Sequence, residues 1–268
     1  MKKVVDKVIT KDELVAEFKE LGLKPKMVVE VHSSLSAFGY VVGGAQTVVD
    51  ALIETVGYEG TIVMSMQTAD NTEPANWENP PIEYEAMQKV RESFPAFNKK
   101  ESDTRGMGAV VRNFRRRDGV SFTNHPTLPF VVWGKYAKLL CNHQSLNFPL
   151  SEESATARLY ELKAYCLLLG VDFDTATSLH LAEYRANARP IKIEGAAIKN
   201  FNERKWIKYL NIDLNSDEFP KGMRKFEKSN YLATRQINGA NCKLYRIDQA
   251  VDYLVKYYEQ KLSKYINL

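Results

Sequence analysis

Apolar positions along the chain fall into two alternating periods. Leu14, Val15, Phe18 and Leu21 recur at three- and four-residue steps, the spacing of one helix face. Thr10 and Glu13 stand ahead of them in capping-box register, and Gly22 and Pro25 stop the helix. Met27–Ser34 ("MVVEVHSS") is a nearly unbroken apolar run, as expected of a strand buried on both faces. "GGAQTVVDALIETVG" returns to helical period, with Val48, Val49, Leu52, Ile53 and Val56 inward, and Gly60–Met66 is a second buried strand. Strand, loop, helix, strand in this order implies a parallel pair with a right-handed crossover.

The next stretch, residues 67–104, is broken by Pro74, Pro80, Pro81 and Pro95, and only "IEYEAMQKVRES" is helical in it. So long an excursion from a folded domain reads as a substrate-facing loop. "GMGAVVRNFRRR" follows as a helix, "FVVWGK" as a strand, "ATARLYELK" as a helix and "YCLLLG" as a buried strand. "TSLHLAEYRANA" is a helix for which Asp174 or Thr175 is the expected N-cap. Beyond Pro190 the texture turns to β. "GAAIKNFNERKWIKYLNID" is an antiparallel hairpin turning near Asn202–Glu203, and "CKLYRID" is a short strand. The last amphipathic helix is expected to be capped by Asp248. The fold class predicted is α/β: one domain over residues 1–268, with a mixed, largely parallel central sheet flanked by helices and a β-rich C-terminal part from about residue 191.

Composition narrows the function classes. With 268 residues, 44% of them hydrophobic, the chain can bury a sizeable core. The net charge of +4 is dispersed, and its densest run, Arg112–Arg117, lacks interleaved aromatics, so no nucleic-acid partner is expected. Cys141, Cys166 and Cys242 are odd in number and far apart, which fits a reducing cytoplasm and argues against disulfides or a zinc ribbon. The opening "MKKVVDKVITKDEL" has no uninterrupted apolar core of a signal peptide. No run approaches the ~18 apolar residues of a membrane helix.

Three stretches can carry chemistry. Val31–Thr47 leaves a strand and opens a helix at Gly43–Gly44, where backbone amides and the helix dipole favour an anion. It is neither a Walker A motif nor a GxGxxG, and a double glycine there is also an ordinary tight connection. The second stretch is "LLLGVDFDTATSLHLAEYR", where His180 and Glu183 share a helix face at i, i+3. That helix starts at the carboxyl end of a strand, where open α/β sheets bind ligands. On spacing alone the pair is equally a packed histidine and a general base. The third stretch, "TNHPTLPF" around His125, is a plain loop or a ligand-contact turn. The four histidines, at positions 32, 125, 143 and 180, show neither HxH nor HExxH spacing, so no metal is expected. No GxSxG elbow is present to suggest a serine hydrolase.

Taken in order, "VHSSLSAFGYVVGGAQTVVDAL", "GYEGTIVMSMQ", "RGMGAVVRNFRR", "NHPTLPFVVWGK", "LLLGVDFDTATSLHLAE" and "YLNIDL" resemble the aminoglycoside 3-N-acetyltransferase family, in the branch found in Bacillus-type bacteria. The likeness runs from about residue 10 to 265. It implies an α/β/α fold unrelated to the GNAT superfamily. It also implies acetyl transfer from acetyl-CoA to the 3-amino group of a 2-deoxystreptamine antibiotic. On this resemblance, Ser33, Ser34, Leu35, Ser36, Val42, Gly43, Gly44 and Thr47 line the coenzyme A groove, joined by Arg105 and Met107. His180 is the catalytic base, with Glu183 or Asp174 as its carboxylate partner. Asp70, His125 and Asp172 are expected to meet the acceptor, and Glu73, Glu78, Glu83 and Asp103 to attract a cationic amine. Asn124 stands where the family has an aspartate, which removes any charge role there. The implied partner is a small cationic amine, with no nucleic acid and no membrane, for a cytoplasmic monomer or homodimer. Two other readings remain: an acetyl-CoA-dependent enzyme for another amine or amino sugar, and a degenerate coenzyme-A-binding protein.

Overall fold

In the computed structural model, which describes residues 5, 7–68, 70–104 and 106–266, the capping box forms as expected. After β1 (Val8–Ile9), the Thr10 amide donates to Glu13 Oε2 at 2.8 Å and opens α1 (Lys11–Leu21), which Gly22 ends in the left-handed region. Then come β2 (Val28–Ser33), β3 (Tyr40–Val41), α2 (Ala45–Val56) and β4 (Thr61–Ser65). The proline-broken excursion carries α3 (Tyr84–Ser93) and leads into α4 (Gly108–Phe114). Next are β5 (Ser121–Phe122), β6 (Phe130–Gly134), α5 (Ala137–Leu140), α6 (Ala155–Glu161), β7 (Tyr165–Leu169) and α7 (His180–Arg185). The C-terminal part comprises β8 (Ile191–Asn200), β9 (Glu203–Ile212), α8 (Phe219–Met223), β10 (Leu232–Ile237), β11 (Ala240–Arg246) and α9 (Ile247–Ile266).

Seven strands form the main sheet in the order β10-β11-β7-β2-β4-β6-β5. The α/β class and the flanking helices agree with expectation, but the parallel share is smaller. Only the β7–β2 and β2–β4 pairs are parallel; the other four pairs are antiparallel. Two of the antiparallel pairs, β10–β11 and β5–β6, are local returns, for which an antiparallel partner is at hand. Strand β10 ("LATRQI") escapes a hydrophobic reading because it is an edge strand with mostly part-exposed or exposed residues.

The apolar run of β7 is unbroken because both of its faces are covered. Leu167 and Leu169 join a core with Phe18, Leu52 and Phe114 beneath α1, α2 and α4. Cys166 and Leu168 join the opposite core, with Phe130, Phe219 and Leu254. Each fully buried leucine contributes roughly 1.5–3 kcal/mol. Strands β8 and β9 make a separate two-stranded ribbon turning at residues 201–202. The long excursion packs on it: the Ala197 amide donates to Asn71 Oδ1 at 2.8 Å, and Asn71 Nδ2 donates to the Ala197 carbonyl at 3.1 Å.

Two expected caps fall elsewhere. Helix α9 starts at Ile247, so Asp248 lies inside the first turn, where it takes Arg246 Nε at 2.9 Å. Asp174 and Thr175 do not start α7. They lie in a 3-10 turn, Phe173–Thr175, whose N-cap is Asp172, and a second turn, Thr177–Leu179, leads into the helix. Between the acidic stretch and His180 the chain thus takes two tight turns, and Gly170 begins them at φ +69°. A Cβ at Gly170 would lie 2.3 Å from Ala37 Cβ, so the exit of β7 passes directly against the turn that follows β2.

His125 belongs to the scaffold. It is buried, its Nδ1 accepts the Leu128 and Thr127 amides at 3.0 and 3.2 Å, and its Nε2 is 3.2 Å from the Leu146 carbonyl. Burial lowers its pKa from 6.5 to about 4. The unfolded chain therefore takes a proton at this residue over a pH range in which the folded chain does not, and stability falls as pH drops from 6.5 towards 4. The loss attributable to this one group is roughly 3 kcal/mol. Urea unfolding of wild type and His125→Gln across that range should show a shallower pH slope in the variant; equal slopes would exclude the assignment.

Candidate active site

Strands β2 and β7 are parallel neighbours, with Ser33 opposite Leu169. Their carboxyl ends deliver two loops to one place, and between these loops lies a cavity of about 920 Å³. From the β2 exit come Ser33, Ser34, Leu35 and Ser36, and from the β7 exit come Asp174, Thr177 and His180. Gly44 adds the start of α2, and Met107 the approach to α4. The Ser34 amide is taken by the Leu169 carbonyl at 2.9 Å, which leaves the Leu35 and Ser36 amides at the open start of the 3-10 turn Leu35–Phe38.

His180 and Glu183 form one unit. Glu183 Oε2 lies 2.6 Å from His180 Nδ1, and the carboxylate has no solvent exposure. Its other oxygen accepts Arg189 Nε at 2.6 Å and the Asn215 amide at 3.2 Å. Arg189 in turn donates to Glu218 at 3.0 Å, and Lys261 donates to Glu218 at 2.6 Å. The alternation of charge lets a buried carboxylate persist. Phe219 packs edge-on against the imidazole, 4.9 Å between ring centres. With Nδ1 engaged, Nε2 is the nitrogen available to a ligand in the cavity. Asp174 is exposed at the cavity wall, so the imidazole is held by Glu183.

The glycine pair opens α2 as expected. Gly43 and Gly44 have φ of +81° and +62°, and a Cβ on Gly44 would meet nothing within 4 Å. No side chain caps the helix there, so its first amides are open. Gly43, Val42 and Thr47 do not line the cavity. Thr47 Oγ1 donates to the Val42 carbonyl at 2.5 Å and closes the loop from behind.

The remaining expected residues lie elsewhere. Asp172 caps Phe173 and pairs with Lys243 at 2.6 Å; neither it, Asp70 nor His125 lines the cavity. Arg105 lies outside the described residues. Glu73 is buried and bound to Arg91 at 2.5 Å, while Glu78, Glu83 and Asp103 are exposed. In the basic run, Arg117 pairs with Asp50 at 2.8 Å and Arg115 donates to the Ser102 carbonyl at 2.9 Å. Sequence reasoning missed His32, Tyr40, Ser65, Gln67 and Ser216, all of which line the cavity. For His32, the signal was its place one residue before the serine loop; Ser216 lies beyond the hairpin, and its spacing carries no signal.

Comparison with known proteins shows the family. The profile of the family described as aminoglycoside 3-N-acetyltransferase matches residues 31–259. The chain is 40% identical to the SPbeta prophage-derived aminoglycoside N(3')-acetyltransferase-like protein YokD of Bacillus subtilis (strain 168), over 99% of each chain. The YokD crystal structure superposes with a TM-score of 0.92, at 41% identity and 95% coverage of both chains. Aminoglycoside N(3)-acetyltransferase VIII of Streptomyces fradiae is 34% identical over 76% of this chain and 72% of its own. AAC-IIIb, solved as a binary with CoASH, shares the fold with a TM-score of 0.84, at 24% identity over 95% of this chain and 97% of its own. The chain belongs to the aminoglycoside 3-N-acetyltransferase family, an enzyme family.

Proposed function

We propose that this enzyme transfers an acetyl group from acetyl-CoA to an amine, with the 3-amino group of a 2-deoxystreptamine aminoglycoside as acceptor. The observation that carries the reading is the buried His180–Glu183 pair at the wall of a cavity built from the β2 and β7 exits. An aminoglycoside amine is mostly protonated at neutral pH and must lose that proton to attack a thioester. His180 Nε2 takes the proton, and Glu183 holds Nδ1–H and stabilises the imidazolium as it forms. The amine nitrogen bonds to the thioester carbon, the carbon–sulfur bond breaks, and the departing thiolate takes the second nitrogen proton, so the products are the neutral amide and the coenzyme A thiol. The Leu35 and Ser36 amides are the donors proposed for the oxyanion. The open amides of α2 beside Gly44 are proposed to receive the phosphates of coenzyme A. The family match supports the acceptor, and the CoASH complex of AAC-IIIb supports the acyl carrier.

Among the described residues, no helix is long and apolar enough to cross a membrane. Asp174 is the acidic side chain on the cavity wall and is proposed to meet an ammonium of the acceptor.

His180→Ala should lower kcat by roughly 10²–10⁴ while calorimetry finds coenzyme A binding retained. Full activity in thiol-release assays with a panel of aminoglycosides would remove the base assigned here. Gly44→Ala strains the positive φ at the start of α2, shifts its open amides, and should raise KM for acetyl-CoA about tenfold, with a smaller effect on kcat. An unchanged KM would move the phosphates away from this helix.

A further inference from the structure

A second polar cluster lies within the sheet, separate from the His180–Glu183 pair. Glu30 and His32 stand two residues apart on one face of β2, and Cys166 is the register partner of Glu30 on β7. Tyr245 of β11 is the partner of Cys166 on the far side. Glu30 and Cys166 are fully buried and His32 nearly so. One donor atom from each of Glu30, His32 and Cys166 lies within 4.8 Å of the other two.

The hydrogen bonding of this cluster is incomplete in an informative way. Glu30 faces His32 and both the hydroxyl and the amide of Ser178, but neither of its oxygens forms a close hydrogen bond, and the Tyr245 hydroxyl likewise faces Cys166 without a close one. His32 Nε2 is 3.3 Å from Glu30 Oε1, yet that nitrogen accepts the Thr177 amide at 3.3 Å. An imidazole nitrogen that accepts cannot also donate to the carboxylate. Two lone-pair-bearing atoms therefore face each other in the protein interior, with a thiol alongside, and need a proton or a cation between them.

We propose that Glu30, His32 and Cys166 bind a divalent transition-metal ion of the zinc type. The set supplies one oxygen, one nitrogen and one sulfur, a mixture that suits zinc. A carboxylate and a thiolate balance its two positive charges and leave a neutral site in the core. A tetrahedral zinc needs donor separations of about 3.3–3.6 Å. The Glu30–His32 separation of 3.3 Å already meets this, while Cys166 closes by about an ångström and His32 gives up its long contact with Thr177. Such an ion ties β2 to β7 below the cavity and fixes His32, which forms part of the cavity wall. The spacing rules for metal motifs miss it because two ligands alternate along one strand and the third comes from its neighbour.

The test is made on the full chain without a histidine tag and does not depend on acetyl transfer. Elemental analysis after chelator-free purification should find about one equivalent of metal per chain. Titrating chelator-treated protein with cobalt(II) should produce a thiolate-to-cobalt charge-transfer band. Cys166→Val, which suits a buried strand, should fold with native circular dichroism and lose the band. Glu30→Gln should weaken cobalt binding at least tenfold. Protein that retains no metal and gives no cobalt band overturns the proposal, and points to a proton held by Glu30. A band that survives in Cys166→Val overturns it as well, since Cys141 or Cys242 would then be the ligand.

Discussion

A carboxylate without solvent exposure persists only if its neighbours replace water, and Glu183 is held in this way on both oxygens. His180 takes one, while Arg189 and the Asn215 amide share the other. These partners come from three places: α7 itself, the segment leading to β8, and the turn after β9. The requirement to satisfy one buried group thus draws the β-rich part against the helix that bears the imidazole. Removing either side-chain partner would leave a charge unpaired in the interior, which is a larger penalty than losing an exposed ion pair.

The sheet gives that unit its position. Parallel pairing of β2 with β7 brings two carboxyl ends together, so the serine turn and the histidine turn face one cavity. The close pass of Gly170 against Ala37 keeps the two turns in contact. Alignment of the proposed catalytic groups then depends on the register of β2 and β7.

Much of this is legible in the sequence. The capping box at Thr10 and Glu13, the buried strands and the amphipathic helices follow from local periodicity, which survives folding unchanged. The His180–Glu183 contact was legible for the same reason, since i, i+3 on a helix is a local fact. Its partner carboxylate was not decided by spacing, because Asp174 and Glu183 differ only in how the intervening turns run. Those turns also moved the helix start from Asp174 to His180. His125 and Asp172, expected at the acceptor site, do not line the cavity: one is enclosed by loop amides, the other caps a turn and binds Lys243. Arg189, Glu218 and Lys261 are distant in sequence from one another or from the histidine, and no local pattern marks them as one network. The same limit hid the row formed by Glu30, Cys166 and Tyr245, which exists only once three strands are in register.

The central claim is that Glu183 fixes the tautomer of His180, with the proton on Nδ1 and Nε2 free to act as base. Nitrogen-15 NMR of histidine-labelled protein, with His180 assigned by its loss in His180→Gln, reads that state directly. At a pH where the imidazole is neutral, the account predicts a protonated Nδ1 and an unprotonated Nε2, with the preference weakened in Glu183→Gln. A neutral His180 carrying its proton on Nε2 would contradict it.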